Sequence, residues 1–176
     1  MGSFDFSRVN KCSLNAERCD VRYWLMKSEP GEVSIDHLAA MPQQTVPWFG
    51  VRNYQARNFM VNEMSPGDGV LFYHSSCPEP GIAGLAEVAS SAYPDQSQFE
   101  VDGHYFDPKA SPEKPRWFNV DVRLVRKTRL LPLAELRAHP QLAAMPLLAR
   151  GNRLSITPVS AAEWRFICEQ LIGSPS

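Results

Sequence analysis

The chain has 176 residues, of which 44% are hydrophobic and 21% are charged. This length suits one domain whose core needs neither disulfides nor metal. The formal net charge of −1 argues against a protein that binds polyanions by charge alone. No apolar run approaches the roughly 18 residues of a membrane span, and no secretory signal is recognisable. We expect a cytoplasmic protein that contacts no membrane, with nucleoid association, or a nuclear location in a eukaryote, as alternatives.

The cysteines show neither a CxxC motif nor the spacing of a zinc ribbon. His74 and Cys77 could begin a metal site, but a second pair of ligands is not evident. We therefore expect reduced thiols, no metal and no cofactor. The four cysteines are Cys12, Cys19, Cys77 and Cys168.

The first part of the chain predicts a tail, a strand and a helix. Residues 1–20 lack hydrophobic periodicity and are expected to form a mobile tail, so the single domain spans residues 21–173. The β-branched and aromatic run "VRYWLMKSEP" predicts a strand that Pro30 ends. In "SIDHLAAM", Ser34 is placed to cap a helix whose first turn contains Asp36.

A second helix and two strands are predicted next. The helix covers about residues 52–63, where apolar residues recur with helical spacing. A Pro-Gly turn then precedes a strand over residues 70–74. In the following strand, "GIAGLAEV", Gly81 and Gly84 indicate a bend or a close approach by another backbone or a ligand.

The middle of the chain predicts a long irregular excursion over residues 90–115, which holds four prolines. The alternating segment "RWFNVDVRLVRKT" then predicts a half-buried strand. Its inward residues are expected to be Phe118, Val120, Val122 and Leu124, and its outward residues Asn119, Asp121 and Arg123.

The last third predicts short helices broken by Pro140 and Pro146, a final strand in "GNRLSITPVS" and a capped helix. Ser160 and Glu163 have the spacing of a capping box. Trp164 belongs to the apolar stripe of that helix and is therefore expected to be a core residue. The pattern is neither a βαβ alternation nor an all-β meander. The predicted fold class is therefore α+β, with a small curled mixed sheet or barrel of about five strands and flanking helices.

Motifs for catalysis are weak in this sequence. It has no nucleophile elbow, zinc-protease helix, P-loop or dinucleotide-binding fingerprint. Lys27, Ser28 and Glu29 lie together at a strand end. They could support acid–base or nucleophilic chemistry, or simply be the polar end of a strand.

The loop "TVPWFGVRNYQARN" carries the clearest functional signal. Trp48 lies outside any amphipathic stripe, so it is either a core residue or a planar wall for a flat ligand. Stacking of an aromatic side chain on a nucleobase contributes about 1–3 kcal/mol. Asn53 and Gln55 can read polar base edges, and Arg52 and Arg57 add positive charge at a helix start. This combination favours a nucleotide over a sugar or a peptide.

Basic residues are concentrated between Lys114 and Arg153. This segment contains nine Lys or Arg residues and two acidic residues, Asp121 and Glu135. The charges are either the solvated faces of a strand and a helix or a phosphate-binding stripe, which requires them to share one surface.

Five motifs in order resemble the EVE domain, a family of the PUA-like superfamily. They are "YWLMKSEP", "WFGVRNYQARN", "GDGVLFYHS", "GIAGLAEV" and "GNRLSITPVS". A more distant similarity to the YTH domain is also visible. The resemblance implies a pseudo-barrel of five to six strands with flanking helices, and a pocket for one modified base. Residues 75–84 lack the further tryptophans of a YTH cage, which leaves room for a modification on cytosine.

The resemblance also implies roles for individual residues. Trp48 becomes the pocket wall, Lys27 and Ser28 line it, and the segment from Val51 to Asn53 forms its floor. Strand alternation allows only one of Tyr73 and His74 to point inward. The predicted base-binding residues are Lys27, Ser28, Glu29, Trp48, Gly50, Val51, Asn53, Tyr73 and His74. The predicted phosphate-binding residues are Arg52, Arg57, Arg126, Lys127, Arg129 and Arg153.

The predicted function is therefore that of a non-catalytic protein that binds DNA or RNA carrying a modified, cytosine-derived base. The alternative is a small amidohydrolase acting on modified nucleosides, as in the related ASCH domains, with Lys27 and Glu29 catalytic. The protein is expected to be a monomer or a weak dimer.

Overall fold

The computed structural model describes residues 20–173, so almost all of the predicted tail, with Cys12 and Cys19, lies outside the described residues. Eight strands are present in this part of the chain. They are β1 (Tyr23–Ser28), β2 (Thr45–Pro47), β3 (Gly69–His74), β4 (Gly81–Val88), β5 (Tyr93–Pro94), β6 (Phe118–Asn119), β7 (Asp121–Pro132) and β8 (Ile156–Val159).

Six of these strands form one mixed sheet in the order β2-β7-β4-β3-β1-β8. The neighbours β1 and β3 are parallel, and the other neighbours in this sheet are antiparallel. Parallel neighbours need a long crossover connection, and the chain uses it to place the loop containing Trp48 between β1 and β3. The expected α+β fold with a curled mixed sheet and flanking helices is confirmed.

Within residues 20–173, four short α-helices flank the sheet: α1 (Ile35–Ala40), α2 (Tyr54–Asn58), α3 (Leu133–Arg137) and α4 (Ala161–Phe166). The capping roles predicted for Ser34 and Ser160 are confirmed, since each hydroxyl accepts a backbone N–H of the first turn. The helix predicted over 52–63 begins at Tyr54 and becomes a π-helical turn over Phe59–Glu63. No helix in the described residues is long and apolar enough to cross a membrane.

The sheet is buried on both faces. Trp24, Met26 and Phe72 belong to one hydrophobic cluster. Leu25 and Leu71 belong to the other cluster, because successive strand residues point to opposite faces. The glycines of β4 explain how closely this strand meets β7, since a Cβ added at Gly81 would lie 2.4 Å from the carbonyl oxygen of Leu131. The predicted close approach of another backbone is confirmed there.

Two details differ from the sequence prediction. Asn119 is buried, with 2% exposure, although alternation predicts that it faces outward. The reason is that the chain pairs with β5 before Val120 and with β2 and β4 after it, so one continuous alternation does not hold. Trp164 is only partly buried and stacks on Tyr23, with ring centroids 4.6 Å apart.

Candidate functional site

A cavity of about 410 Å³ opens at the end of β1. Its size lies within the range of about 300–1,000 Å³ that is usual for small-molecule sites. The residues that line it come from the β1 end, strand β2, the loop between β2 and α2, and four other loops. They are Lys27, Ser28, Glu29, Glu32, Val33, Val46, Pro47, Trp48, Phe49, Gly50, Val51, Arg52, Ser75, Ser76, Tyr105, Arg153 and Ser155.

Trp48 is both a wall of the cavity and part of the core. Its side chain lines the cavity, yet the residue is only 8% exposed. Its ring meets Phe72 edge-on, with centroids 5.5 Å apart and an interplanar angle of 86°. Its backbone N–H donates to the carbonyl oxygen of Val120 at 2.8 Å. Trp48 is therefore a core residue that also lines the cavity, and its role as a wall for a flat ligand stays a prediction. The core packing orients the indole.

The end of β1 supplies polar groups to the same cavity. The backbone N–H of Lys27 donates to the carbonyl oxygen of Ser155 at 2.8 Å, which joins this strand end to the loop before β8. The Ser28 hydroxyl donates to the carbonyl oxygen of Val33 at 2.6 Å. Burial lowers the pKa of Lys27. The cavity thus offers an amine that loses its charge at a lower pH than an exposed lysine does.

A buried carboxylate holds the loop between β2 and α2 in place. Asp95 accepts hydrogen bonds from the Gly50 amide at 2.8 Å and from the Arg52 guanidinium at 3.0 Å. It also accepts from the amide and the hydroxyl of Ser97. Burial alone would raise the pKa of Asp95, but these hydrogen bonds outweigh it and hold the pKa below its ordinary value.

Arg52 fastens the same loop to the excursion over residues 90–115. Its Nε and Nη2 atoms donate to the carbonyl oxygen of Tyr105, and Nη2 also donates to the Ser97 hydroxyl. Its guanidinium lies over the rings of Tyr105 and Trp117, at 5.4 and 5.5 Å from their centroids. These contacts engage the guanidinium internally, so they give no support to the predicted phosphate contact of Arg52.

Tyr105 is a residue of the site that sequence reasoning missed. Its ring covers Gly50, whose φ of +79° places a hypothetical Cβ 2.7 Å from the tyrosine Cζ atom. Its hydroxyl donates to the Glu32 carboxylate at 2.8 Å. Burial and this carboxylate raise the pKa of Tyr105 to about 12. The available signal was the length of the excursion, because long loops in compact domains are often functional.

Three predicted base-binding residues do not line the cavity. The Asn53 side chain accepts from the amide of Ala56 and caps α2. Tyr73 is 3% exposed and packs in the cluster that contains Leu25. The Nε2 atom of His74 accepts from the amide of Ile35 at 3.0 Å, and burial lowers the pKa of His74, which keeps this acceptor available.

The basic segment does not form one open stripe in the described residues. Lys127 pairs with Asp36, and Arg129 pairs with Glu135 at 2.7 Å. Other predicted phosphate ligands bind carbonyl oxygens: Arg126 that of Gly173, and Arg57 that of Arg116. The segment crosses β7, α3 and several loops rather than following one element. Of the predicted phosphate ligands, Arg52 and the exposed Arg153 line the cavity.

Metal binding is not indicated by this part of the molecule. Within residues 20–173, no group of three or more His, Cys, Asp or Glu side chains is placed to hold a metal ion. The polar groups at the cavity are an amine, guanidinium groups, hydroxyls, carboxylates and backbone groups, which suit hydrogen bonding to a polar ligand.

The curled six-stranded mixed sheet, with a cavity at the end of the interior strand β1, defines a PUA-like domain. The EVE domain model matches residues 22–170, and the chain belongs to the EVE domain family. The chain is 45% identical over 172 residues to human thymocyte nuclear protein 1. This match covers 88% of the chain and 76% of the human protein.

Solved structures show the same fold. A hypothetical protein from Leishmania major is 51% identical with a TM-score of 0.79, over 84% of this chain and 92% of that chain. A crystal structure of the human THYN1 protein in complex with DNA containing 5-methylcytosine is 44% identical, with a TM-score of 0.77. That match covers 83% of this chain and 95% of the human chain.

The hydrogen bonds that Asp95 accepts from the loop between β2 and α2 are expected to stabilise the folded protein. We expect Asp95→Asn to lower the free energy of unfolding at pH 7 by about 1–3 kcal/mol, because buried donors lose a charged acceptor. The pKa of Asp95 is lower in the folded protein than its ordinary value. Its stabilising contribution is therefore present above about pH 4 and is lost as the pH falls through the folded pKa. Denaturant unfolding at pH 7 and pH 3 measures the difference.

Glu87→Gln is the matched control, since Glu87 pairs with Arg123, whose side chain is 51% exposed. Such a pair contributes about 0–1 kcal/mol. An Asp95→Asn variant as stable as wild type at pH 7, or a difference that persists unchanged at pH 3, would contradict the anchoring role.

Proposed function

We propose that this protein binds nucleic acid containing a modified cytosine and holds that base in the cavity beside Trp48. The observation that carries the proposal is a cavity of about 410 Å³ that is lined both by an oriented indole and by a lysine–serine strand end. The similarity of this chain to the human THYN1 protein, whose structure was solved in complex with DNA containing 5-methylcytosine, supports the same ligand class.

Stacking and hydrogen bonding together account for the binding. Extruding a nucleotide from a duplex costs a few kcal/mol. Stacking on the Trp48 indole contributes about 1–3 kcal/mol, and hydrogen bonds to the base edge supply the remainder. The base is therefore stabilised in the cavity without covalent chemistry.

The polar groups of the cavity suit cytosine in particular. The Lys27 amine can donate to the ring nitrogen or carbonyl oxygen of the base. Glu29 and Glu32 line the same cavity and can accept from the exocyclic amino group. Thymine and uracil present a carbonyl oxygen where cytosine has that amino group, so a carboxylate would repel them. A modification at the base then contacts the apolar part of the lining, Val46 and Val51.

Phosphate binding is proposed to be local rather than spread over the molecule. Arg153 lies at the cavity in a loop that is held by hydrogen bonds at Asn152 and Leu154. Phosphate binding by Arg57, Arg126, Lys127 and Arg129 remains a prediction, which their hydrogen bonds to carbonyl oxygens and their ion pairs do not support. Binding to RNA, a monomeric or weakly dimeric state, and a cytoplasmic or nuclear location also stay predictions.

An amidohydrolase acting on modified nucleosides is the second candidate function. The lowered pKa of Lys27 favours it, because an amine that is neutral closer to pH 7 can act as a base. Incubation with an acylated cytidine separates the two functions. We expect no deacylated product, and turnover that disappears in Lys27→Ala would establish the enzyme instead.

The indole wall is tested by Trp48→Ala. We expect affinity for an oligonucleotide with 5-methylcytosine to fall about 5- to 150-fold, and discrimination against plain cytosine to disappear, because stacking is lost. Fluorescence anisotropy with both oligonucleotides measures the effect. Since Trp48 is only 8% exposed, its truncation also costs about 3–5 kcal/mol of stability.

Trp48→Phe keeps a ring in the core and is expected to weaken binding in the same direction with less loss of stability. Trp164→Phe is the matched control, because Trp164 stacks on Tyr23 and does not line the cavity. Folded Trp48 variants that discriminate as well as wild type would refute the proposed pocket.

Arg153 is tested through the salt dependence of binding. Each phosphate that a protein neutralises on duplex DNA adds about −0.9 to the slope of log K against log salt concentration. We expect Arg153→Ala to make that slope shallower by about 0.9. Arg150→Ala, an exposed arginine of the same loop that does not line the cavity, should leave it unchanged. Equal slopes for wild type and Arg153→Ala would exclude the contact.

A further inference from the structure

Phe49 is a large apolar side chain that the fold exposes at the cavity. It is 45% exposed, whereas its chain neighbour Trp48 is 8% exposed. The large exposed hydrophobic residues among residues 20–173 are Val21, Phe49, Tyr54, Val61, Tyr93 and Val101. Of these six, Phe49 lines the cavity at the end of β1. Single exposed apolar residues are ordinary in proteins. Whether Phe49 has a function therefore depends on where its ring lies and which contacts hold it there.

Backbone hydrogen bonds and one aromatic contact position this ring. The backbone is fixed on both sides of Phe49, by the hydrogen bond from Trp48 to Val120 and by that from Gly50 to Asp95. The ring itself meets Tyr105 edge-on, with centroids 5.8 Å apart and an interplanar angle of 79°. A side chain ordered in this way loses little conformational freedom when it inserts into a ligand.

We propose that Phe49 is a wedge that enters the base stack of duplex DNA at the position from which the modified cytosine is withdrawn. This inference rests on the proposed function, because it needs a base in the cavity. Withdrawing a base leaves a gap between its two neighbours, and apolar side chains such as Phe fill gaps of this kind in DNA.

Adjacency in the chain supports this role. Trp48 and Phe49 are neighbours in one loop, and both line the cavity. One loop can therefore contact the withdrawn base through Trp48 and the gap in the duplex through Phe49. Phe49 has no hydrogen-bonding group, so it stabilises the opened duplex without reading the sequence.

The test compares a duplex with a single strand. Both carry one 5-methylcytosine at the same position, and binding of wild type and Phe49→Ala is measured by fluorescence anisotropy. We expect Phe49→Ala to bind the duplex on the order of tenfold to a hundredfold more weakly, because one base–aromatic stacking contact is lost. Binding of the single strand, which has no paired stack to hold open, should change by less than about twofold.

Val61→Ala is the matched control, since Val61 is 43% exposed and does not line the cavity. Phe49→Trp retains a stacking ring and should keep duplex affinity within a few-fold of wild type. Equal duplex affinity of wild type and Phe49→Ala overturns the wedge, as does an equal loss on both ligands. Wild type that binds neither ligand overturns the base-binding function itself, which is a different result from loss in the variant alone.

Discussion

The geometry of the site depends on one buried carboxylate. Asp95, whose side chain is 1% exposed, is stable in the interior only because donors surround it. Two of these donors, Gly50 and Arg52, belong to the loop between β2 and α2. Fixing them also fixes the chain immediately before and between them, including Trp48 and Phe49. The carboxylate thus sets the position of the loop that forms one wall of the cavity.

The distribution of charge separates this protein from general polyanion binders. Several of its arginines and lysines form ion pairs or bind backbone carbonyl oxygens, and the net charge is −1. Long-range attraction to phosphate is consequently weak. Affinity is expected to depend on the fit of one base in the cavity, which favours discrimination between bases over tight binding to any sequence.

Much of the fold and part of the site are predictable from the sequence because their signals are local. The hydroxyls of Ser34 and Ser160 cap helices through residues three positions away, and alternation or β-branched runs indicate the main strands. Lys27, Ser28 and Trp48 belong to short contiguous motifs that resemble one family, and all three line the cavity. The sequence by itself thus determined the fold class, the family and one aromatic wall.

Only the tertiary structure decided which residues distant in sequence meet at the cavity and which predicted residues do not line it. Asp95 and Gly50 are 45 residues apart, and Tyr105 and Glu32 are 73 apart, so no local pattern links them. Tyr73 does not line the cavity, because it packs in the cluster on the other face of the sheet. The ion-pair partners of the basic residues were also not predictable from the sequence, because an ion pair forms wherever the folded chain brings two side chains together.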